Sequence, residues 1–210
     1  ANTTNDGTHS VTVPNNISPT CRIKVEAVDN IFYAISTPNF EINCNEPIAA
    51  CQTTTVVLDD NGSGSITASD VDGGSSADCG LAAMTAAPTS FDCSNVGANT
   101  VTLTVTDVHG NEATAMAVVR VEDSIVPIIT AQAISVVLTE LGTVSIAYED
   151  VLSSGTDNCG SISYTLSQNT FSATDAINSP VTIQLTGTDP SGNATSVAVE
   201  VTVSDPFPVV

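Results

Sequence analysis

The stretch Thr100-Val-Thr-Leu-Thr-Val-Thr106 decides the fold class. Side chains alternate between the two faces of a β-strand, so Val101, Leu103 and Val105 share one side and the threonines share the other. This is the pattern of a half-buried strand. A turn, Asp107-Val-His-Gly-Asn111, follows it, and Ala113 to Val121 alternates again. Upstream, Thr53 to Leu58 alternates and ends at Asp59-Asp60-Asn61-Gly62, a turn signal that predicts Gly64 to Val71 as the second half of a hairpin. No segment has a convincing helical period.

The pattern recurs along the chain. Displaced by 80 residues, Pro47-Ile48 falls on Pro127-Ile128, Val56-Val57-Leu58 on Val136-Val137-Leu138, Asp70-Val71 on Asp150-Val151, Cys79-Gly80 on Cys159-Gly160 and Phe91 on Phe171. After a two-residue insertion the offset is 82, and Asp107 meets Asp189, Gly110-Asn111 meets Gly192-Asn193 and Asp123 meets Asp205. Such dense agreement marks a duplicated structural unit. Units of this length, built of short strands between turns, have the rhythm of immunoglobulin-like β-sandwiches. The expected fold is therefore all-β, with tandem immunoglobulin-like β-sandwich domains at residues 45–125 and 126–205. Residues 1–44 carry strand-like pieces at His9 to Val13, Cys21 to Val28, Ile31 to Ser36 and Phe40 to Cys44, which amounts to about half a sandwich. Asp205-Pro-Phe-Pro208 resembles the Asp123-to-Pro127 junction, so residues 206–210 are expected to begin a following unit or linker, and the chain to be an excerpt of a longer protein.

Composition narrows the function classes. The 210 residues hold Lys+Arg 3 against Asp+Glu 23, a net charge of −20, with 41% hydrophobic and 4% aromatic residues. A surface of that sign repels phosphates, which argues against nucleic acid and anionic membranes as partners. The apolar runs are strand-sized and too short to insert in a membrane. Six cysteines beside only two histidines, His9 and His109, read as disulfides in an oxidising, extracellular space.

The string Asp70-Val-Asp-Gly-Gly-Ser-Ser-Ala-Asp-Cys-Gly80, followed by Ser90-Phe-Asp-Cys-Ser-Asn-Val-Gly-Ala-Asn-Thr-Val-Thr-Leu-Thr-Val-Thr-Asp107 and Gly110-Asn111, resembles the hyalin-repeat-like, immunoglobulin-like modules of large adhesin-like surface proteins in bacteria with type IX secretion. The resemblance covers residues 45–205 and is looser in the second repeat. Asn5-Asp-Gly-Thr-His-Ser-Val-Thr-Val-Pro14, with Arg22 to Ser36 and Phe40-Glu-Ile42, looks like the end of a fibronectin-III-like domain, of the kind that follows reprolysin-like zinc metallopeptidases. These resemblances imply a non-catalytic stretch of a secreted or cell-surface protein.

The same resemblance implies a Cys79–Cys93 bridge, whose short loop would contribute about 3 kcal/mol. It often joins the first cysteine of a repeat to the last strand. Here that position is Ala115, leaving Cys51 alone, and Ala173 stands where Cys159 would find its partner. Cys51 and Cys159 are thus expected as buried free thiols, with an intermolecular link between copies as the alternative. Cys21 and Cys44 bound antiparallel strand-like pieces and are the preferred second pair, with Cys44–Cys51 competing. Asp123-Ser124-Ile125 also resembles a short O-glycosylation signal of such bacteria.

Catalytic motifs are missing from the sequence: it has no His-Glu-x-x-His, no Gly-x-Ser-x-Gly and no phosphate-binding Gly-x-x-x-x-Gly-Lys. Asp59 and Asp60 read as solvated turn acids and His109 as a turn residue. Calcium is the one cofactor the sequence argues for, because an extracellular chain of this charge offers the oxygen ligands a hard cation takes. In the immunoglobulin-like topology a module's last strand ends beside the turns of the next. That draws Glu122 and Asp123 towards Asp189, Asp157 and Asp150, and Glu46 towards Asp107, Asp72 and Asp78, in the manner of cadherin linkers. The competing role for Asp107, Asp189, Asp70 and Asp150 is to organise turns and cap backbone.

The leading expectation is a non-catalytic extracellular stalk or filament segment whose partners are neighbouring domains of its own chain and copies of itself. A non-catalytic tail of a zinc peptidase is the alternative. A carbohydrate-binding module would need an aromatic platform, for which Tyr33, Tyr148 and Tyr164 are the candidates.

Overall fold

The computed structural model describes residues 18–22, 24–26, 33–35, 40–42 and 44–207; the strand expected at His9 to Val13 lies outside them. Four short strands come first: β1 (Ser18–Cys21), β2 (Lys24–Glu26), β3 (Tyr33–Ile35) and β4 (Phe40–Ile42). They form two antiparallel pairs, β1 with β4 and β2 with β3.

Two matching series of elements follow. The first is β5 (Thr54–Val57), β6 (Ser63–Ser65), the one-turn helix α1 (Ala68–Val71), β7 (Leu81–Ala87), β8 (Ser90–Asp92), a 3-10 turn (Cys93–Asn95), β9 (Gly97–Asp107) and β10 (Glu112–Glu122). The second opens with β11 (Ile128–Ala131), β12 (Ile134–Val137), β13 (Thr143–Ser145), α2 (Tyr148–Val151) and β14 (Leu152–Thr156). It closes with β15 (Ser163–Leu166), β16 (Thr170–Ser172), α3 (Ala173–Ile177), β17 (Val181–Thr188) and β18 (Ala194–Ser204). The four-stranded sheets have equivalent orders, β5-β10-β9-β7 and β12-β18-β17-β15. Registers repeat to the residue. Thr54 lies opposite Val119 in a parallel pair, and Ile134 lies opposite Val201, so the offsets of 80 and 82 both hold. The β11–β14 ladder, which joins Ile128 to Thr156 and Ala131 to Leu152, has its counterpart in single bridges from Ile48 to Ser76 and from Cys51 to Asp72.

The described residues divide into two compact units: those up to 53 with 67–89 and 100–118, and 54–66 with 90–99 and 119–207. In the first, Val101, Leu103 and Val105 are fully buried while Thr100 and Thr102 face solvent, as their alternation requires. In the second, Phe171, Leu185, Leu138, Val151 and Val201 form the centre of a core against which Tyr148 and Tyr164 pack. Gly155 is required there, because a Cβ at that position would strike the Tyr164 hydroxyl.

The expected hairpin from Thr53 to Val71 is not formed. β5 pairs with β10, and β6 pairs antiparallel with β8, Ser63 facing Asp92. The turn between them works as a crossover: the Asp59 carboxylate accepts the N–H groups of Asn61 and Ser63, both at 2.9 Å, and Gly62 supplies a φ of 71°. Residues 68–71 are helical instead of extended. Asp70 accepts from the Thr67 N–H at 2.7 Å and hydroxyl at 2.8 Å, and Asp150 accepts from the Ala147 N–H at 2.8 Å to start the equivalent turn. A single helical turn is too short to leave a periodic signal.

The disulfides also differ from expectation. Cys44 is bonded to Cys79 (Cα–Cα 5.9 Å) and Cys93 to Cys159 (5.2 Å), in place of Cys79–Cys93 and Cys21–Cys44. Cys79 and Cys93 are separated in sequence by β7 and β8, which belong to different sheets. The thiols that meet are those of loops distant in sequence. Cys159, expected as a free thiol, is therefore bonded, and Cys44 is not bonded to Cys51. Cys51 is a half-buried free thiol, with its pKa raised first by burial and then by the Asp72 charge.

Leu185 has no exposed surface, so Leu185→Ala is expected to destabilise by about 2–5 kcal/mol in urea unfolding. Thr182→Ala, on the solvated face of the same strand, should change stability by less than about 0.5 kcal/mol.

Candidate cation site

The second repeat brings three of the expected carboxylates together. Asp123 leaves the end of β10, Asp157 follows β14, and Asp189 opens the β17–β18 turn; their ligand oxygens lie within 4.8 Å of one another. Asp123 and Asp189 are buried, at 7% and 5% exposure, and Asp157 is half-buried.

Each is held by its turn. Asp189 accepts the Asn193 N–H on one oxygen and the Asn193 side-chain amide on the other, both at 2.8 Å. That same amide donates to the Asp123 carbonyl at 3.1 Å, tying the incoming strand end to the turn. Asp123 accepts from the Ile125 N–H and the Asn158 amide, both at 3.2 Å, and from the Ser191 hydroxyl at 3.3 Å. Asp157 accepts the Cys159 N–H at 2.9 Å on one oxygen. Its other oxygen, and the side-chain oxygen of Asn158, are buried with no hydrogen-bond partner.

Three carboxylates this close repel by about 4 kcal/mol per pair at an effective dielectric of 20. Arg120, the basic residue nearest in sequence, donates to Glu122 at 2.8 Å on an exposed strand. Buried repulsion and buried oxygens without donors are both relieved by one bound cation. The donors are all oxygen, which suits calcium and disfavours thiophilic metals.

The remaining candidates are placed elsewhere. Glu122 is engaged with Arg120, and the exposed Asp150 caps α2. Near the first repeat, Asp72 accepts the Ser75 N–H at 2.9 Å, Asp78 accepts the Asn45 amide at 2.6 Å, and Glu46 is exposed. Asp107, 1% exposed, organises its turn by accepting from the N–H of Asn111, the N–H of His109 and the Asn111 amide, each at 2.8 Å. Among the described residues these four form no ligand group. His109 Nδ1 lies there 3.4 Å from Cys44 Sγ, but the Cys44 and Cys79 sulfurs are tied up in their disulfide and offer no thiolate. Sequence reasoning took His109 for a turn residue only and missed Asn158, Ser191 and Asn193 as supports of the carboxylates; the matching Gly-Asn turn signals could have found Asn193. Of the platform tyrosines, Tyr148 and Tyr164 stack on each other with ring centroids 5.1 Å apart, and the side chain of Tyr33 lies outside the described residues.

No protein-family model matches this chain, and no curated protein matches it. Among solved structures it is similar to the protocadherin gamma B7 extracellular cadherin domains 1–4, at TM-score 0.36 and 15% identity, over 89% of this chain and 58% of that one. It is similar to human protocadherin-24 EC1-2 at TM-score 0.39 and 14% identity, over 78% of this chain and 99% of that one. The I67–I69 fragment of the titin I-band matches at TM-score 0.36 and 10% identity, over 77% of this chain and 67% of that one.

Turn carboxylates make folding pH-dependent. Donors hold Asp59 (first the Ser63 N–H), Asp70 (first the Thr67 N–H), Asp92 (first the Ser94 hydroxyl) and Asp175 (first the Ser172 N–H) below the usual carboxylate range. At Asp107 burial works the other way, but the Asn111 and His109 donors outweigh it. A depressed folded pKa stabilises above the unfolded value of about 3.9 and is lost as pH falls through the folded value. In chelator, the melting temperature is expected to fall below about pH 4. A melting temperature that rises steadily to pH 2 would mean that relief of self-repulsion outweighs the caps.

Proposed function

We propose that this chain is a non-catalytic extracellular stalk or adhesive segment of tandem immunoglobulin-like modules, residues 45–125 and 126–205, stiffened by calcium at Asp123, Asp157 and Asp189. The observation that carries this reading is the carboxylate triplet, with its unpartnered Asp157 and Asn158 oxygens, where the last strand of one repeat meets two turns of the next. A cation there neutralises the repulsion of the joint and gives its orphan oxygens a partner. Tandem repetition then extends the segment by one module length at a time, with neighbouring modules as the first partners of each. The hyalin-repeat-like motifs in residues 70–111 support a secreted bacterial surface protein as the parent.

Calcium titration of the protein is expected to give a heat and to raise the melting temperature, by an amount equivalent to about 2.7 kcal/mol at a hundredfold excess over Kd. Asp157→Asn discriminates the site from general charge screening. Removing one of three repelling charges should raise the melting temperature in chelator and abolish most of the calcium-induced rise. If calcium gives no heat and no shift in the wild type, the reading is wrong.

A further inference from the structure

We propose that the Cys93–Cys159 disulfide is a positioning element of the cation site, so that calcium affinity depends on this bridge being closed; the inference rests on the calcium reading above. The loop Asp157-Asn158-Cys159 supplies the carboxylate of the triplet that keeps a buried oxygen without a hydrogen-bond partner. Asp157 is held by the N–H of Cys159, at 2.9 Å, and the Cys159 side chain is bonded to Cys93 at the end of β8. Between them Asn158 donates to the Asp59 carbonyl and to Asp123, both at 3.2 Å, the long end of the hydrogen-bond range. Its own carbonyl lies 3.4 Å from Cys93 Sγ, and a Cβ at Gly62 would stand 2.8 Å from that carbonyl and 2.6 Å from that sulfur. The loop is thus seated against residues 59–62 and 93 by one covalent tie and a close backbone approach that only glycine permits.

Mutual repulsion pushes Asp157 away from Asp123 and Asp189. Two long hydrogen bonds from one amide are a weak restraint against that, whereas a bridge between residues 66 apart in sequence does not yield. With the disulfide closed, Asp157 is already in place when the cation arrives. A dithiol that opens it transfers two electrons and two protons, leaving thiols at Cys93 and Cys159 and closing to a disulfide itself. The loop then carries Asp157 outward, and the site has to be reassembled on binding. The Cys44–Cys79 bridge shares no residue with the site and is the internal control.

The test is calcium titration calorimetry on the full chain as wild type, as Cys93→Ser/Cys159→Ser and as Cys44→Ser/Cys79→Ser. The first double variant is expected to bind calcium about tenfold or more weakly at unchanged stoichiometry, the scale seen when groups supporting metal ligands are removed. The control variant should stay within about twofold of wild type. Linkage supplies a second measurement that needs no variant: calcium must disfavour reduction of Cys93–Cys159 by the same factor. Equilibrating wild type with dithiothreitol, with and without calcium, should shift reduction of that bridge and leave Cys44–Cys79 unshifted. Wild-type affinity retained in Cys93→Ser/Cys159→Ser, or an equal shift or none at both bridges, overturns the proposal while leaving calcium binding intact. Absence of calcium binding in the wild type overturns both.

Discussion

The architecture depends on one long antiparallel hairpin per repeat. β17 and β18 pair from Val181–Val201 to Thr188–Ala194, and this register decides which side chains of both strands face the core. The equivalent strands β10 and β18 each run eleven residues, about 37 Å. Each repeat carries an aspartate in its hairpin turn and another just past its last strand: Asp107 and Asp123 in the first, Asp189 and Asp205 in the second. The carboxylate triplet follows from that order, because Asp123, leaving β10, meets the Asp189 turn and Asp157.

Parallel pairing of β5 and β12 with the outgoing strands completes the arrangement. Leu58 N–H donates to the Glu122 carbonyl and Leu138 N–H to the Ser204 carbonyl, so each outgoing strand stays ordered to its last residue. Asp123 is therefore presented from a fixed backbone. Its carboxylate then gathers donors from Asn158 and Ser191 on two separate turns. A charged group at 7% exposure is tolerated because its lone pairs are almost all occupied.

The equivalent positions of the two repeats diverge through a few substitutions. Aligned by Pro47 and Pro127, position 43 is asparagine where Asp123 stands, Ala77 replaces Asp157, and at the later offset His109 replaces Ser191. Two of three carboxylates are gone, which is why Asp107 keeps only its turn role. The retained cysteine changes partner as well: Cys79 is bonded to Cys44, where the equivalent Cys159 is bonded to Cys93. One duplicated scaffold thus gathers three carboxylates in one place and sets a disulfide beside an imidazole in the equivalent one.

Features governed by neighbours in sequence were legible from the sequence. Val101, Leu103 and Val105 announce a half-buried strand because the alternation of side chains is a property of the extended backbone itself, and the repeat follows from matching such local patterns. The carboxylates of Asp123, Asp157 and Asp189 could be named as partners because hairpin length and module order constrain where strand ends fall. Other features were decided only by tertiary structure. Whether residues after Asp59 return as a hairpin or cross to the other sheet depends on which strand covers β5, and β10 takes that edge. Which cysteines bond depends on distances between loops up to 66 residues apart, and no local pattern encodes those distances. Glu122 and Asp150 have the right charge and nearly the right position, yet an arginine two residues away and a helical turn claim them first. Local periodicity fixes the strands; competition among partners in three dimensions decides what each turn carboxylate and each thiol does.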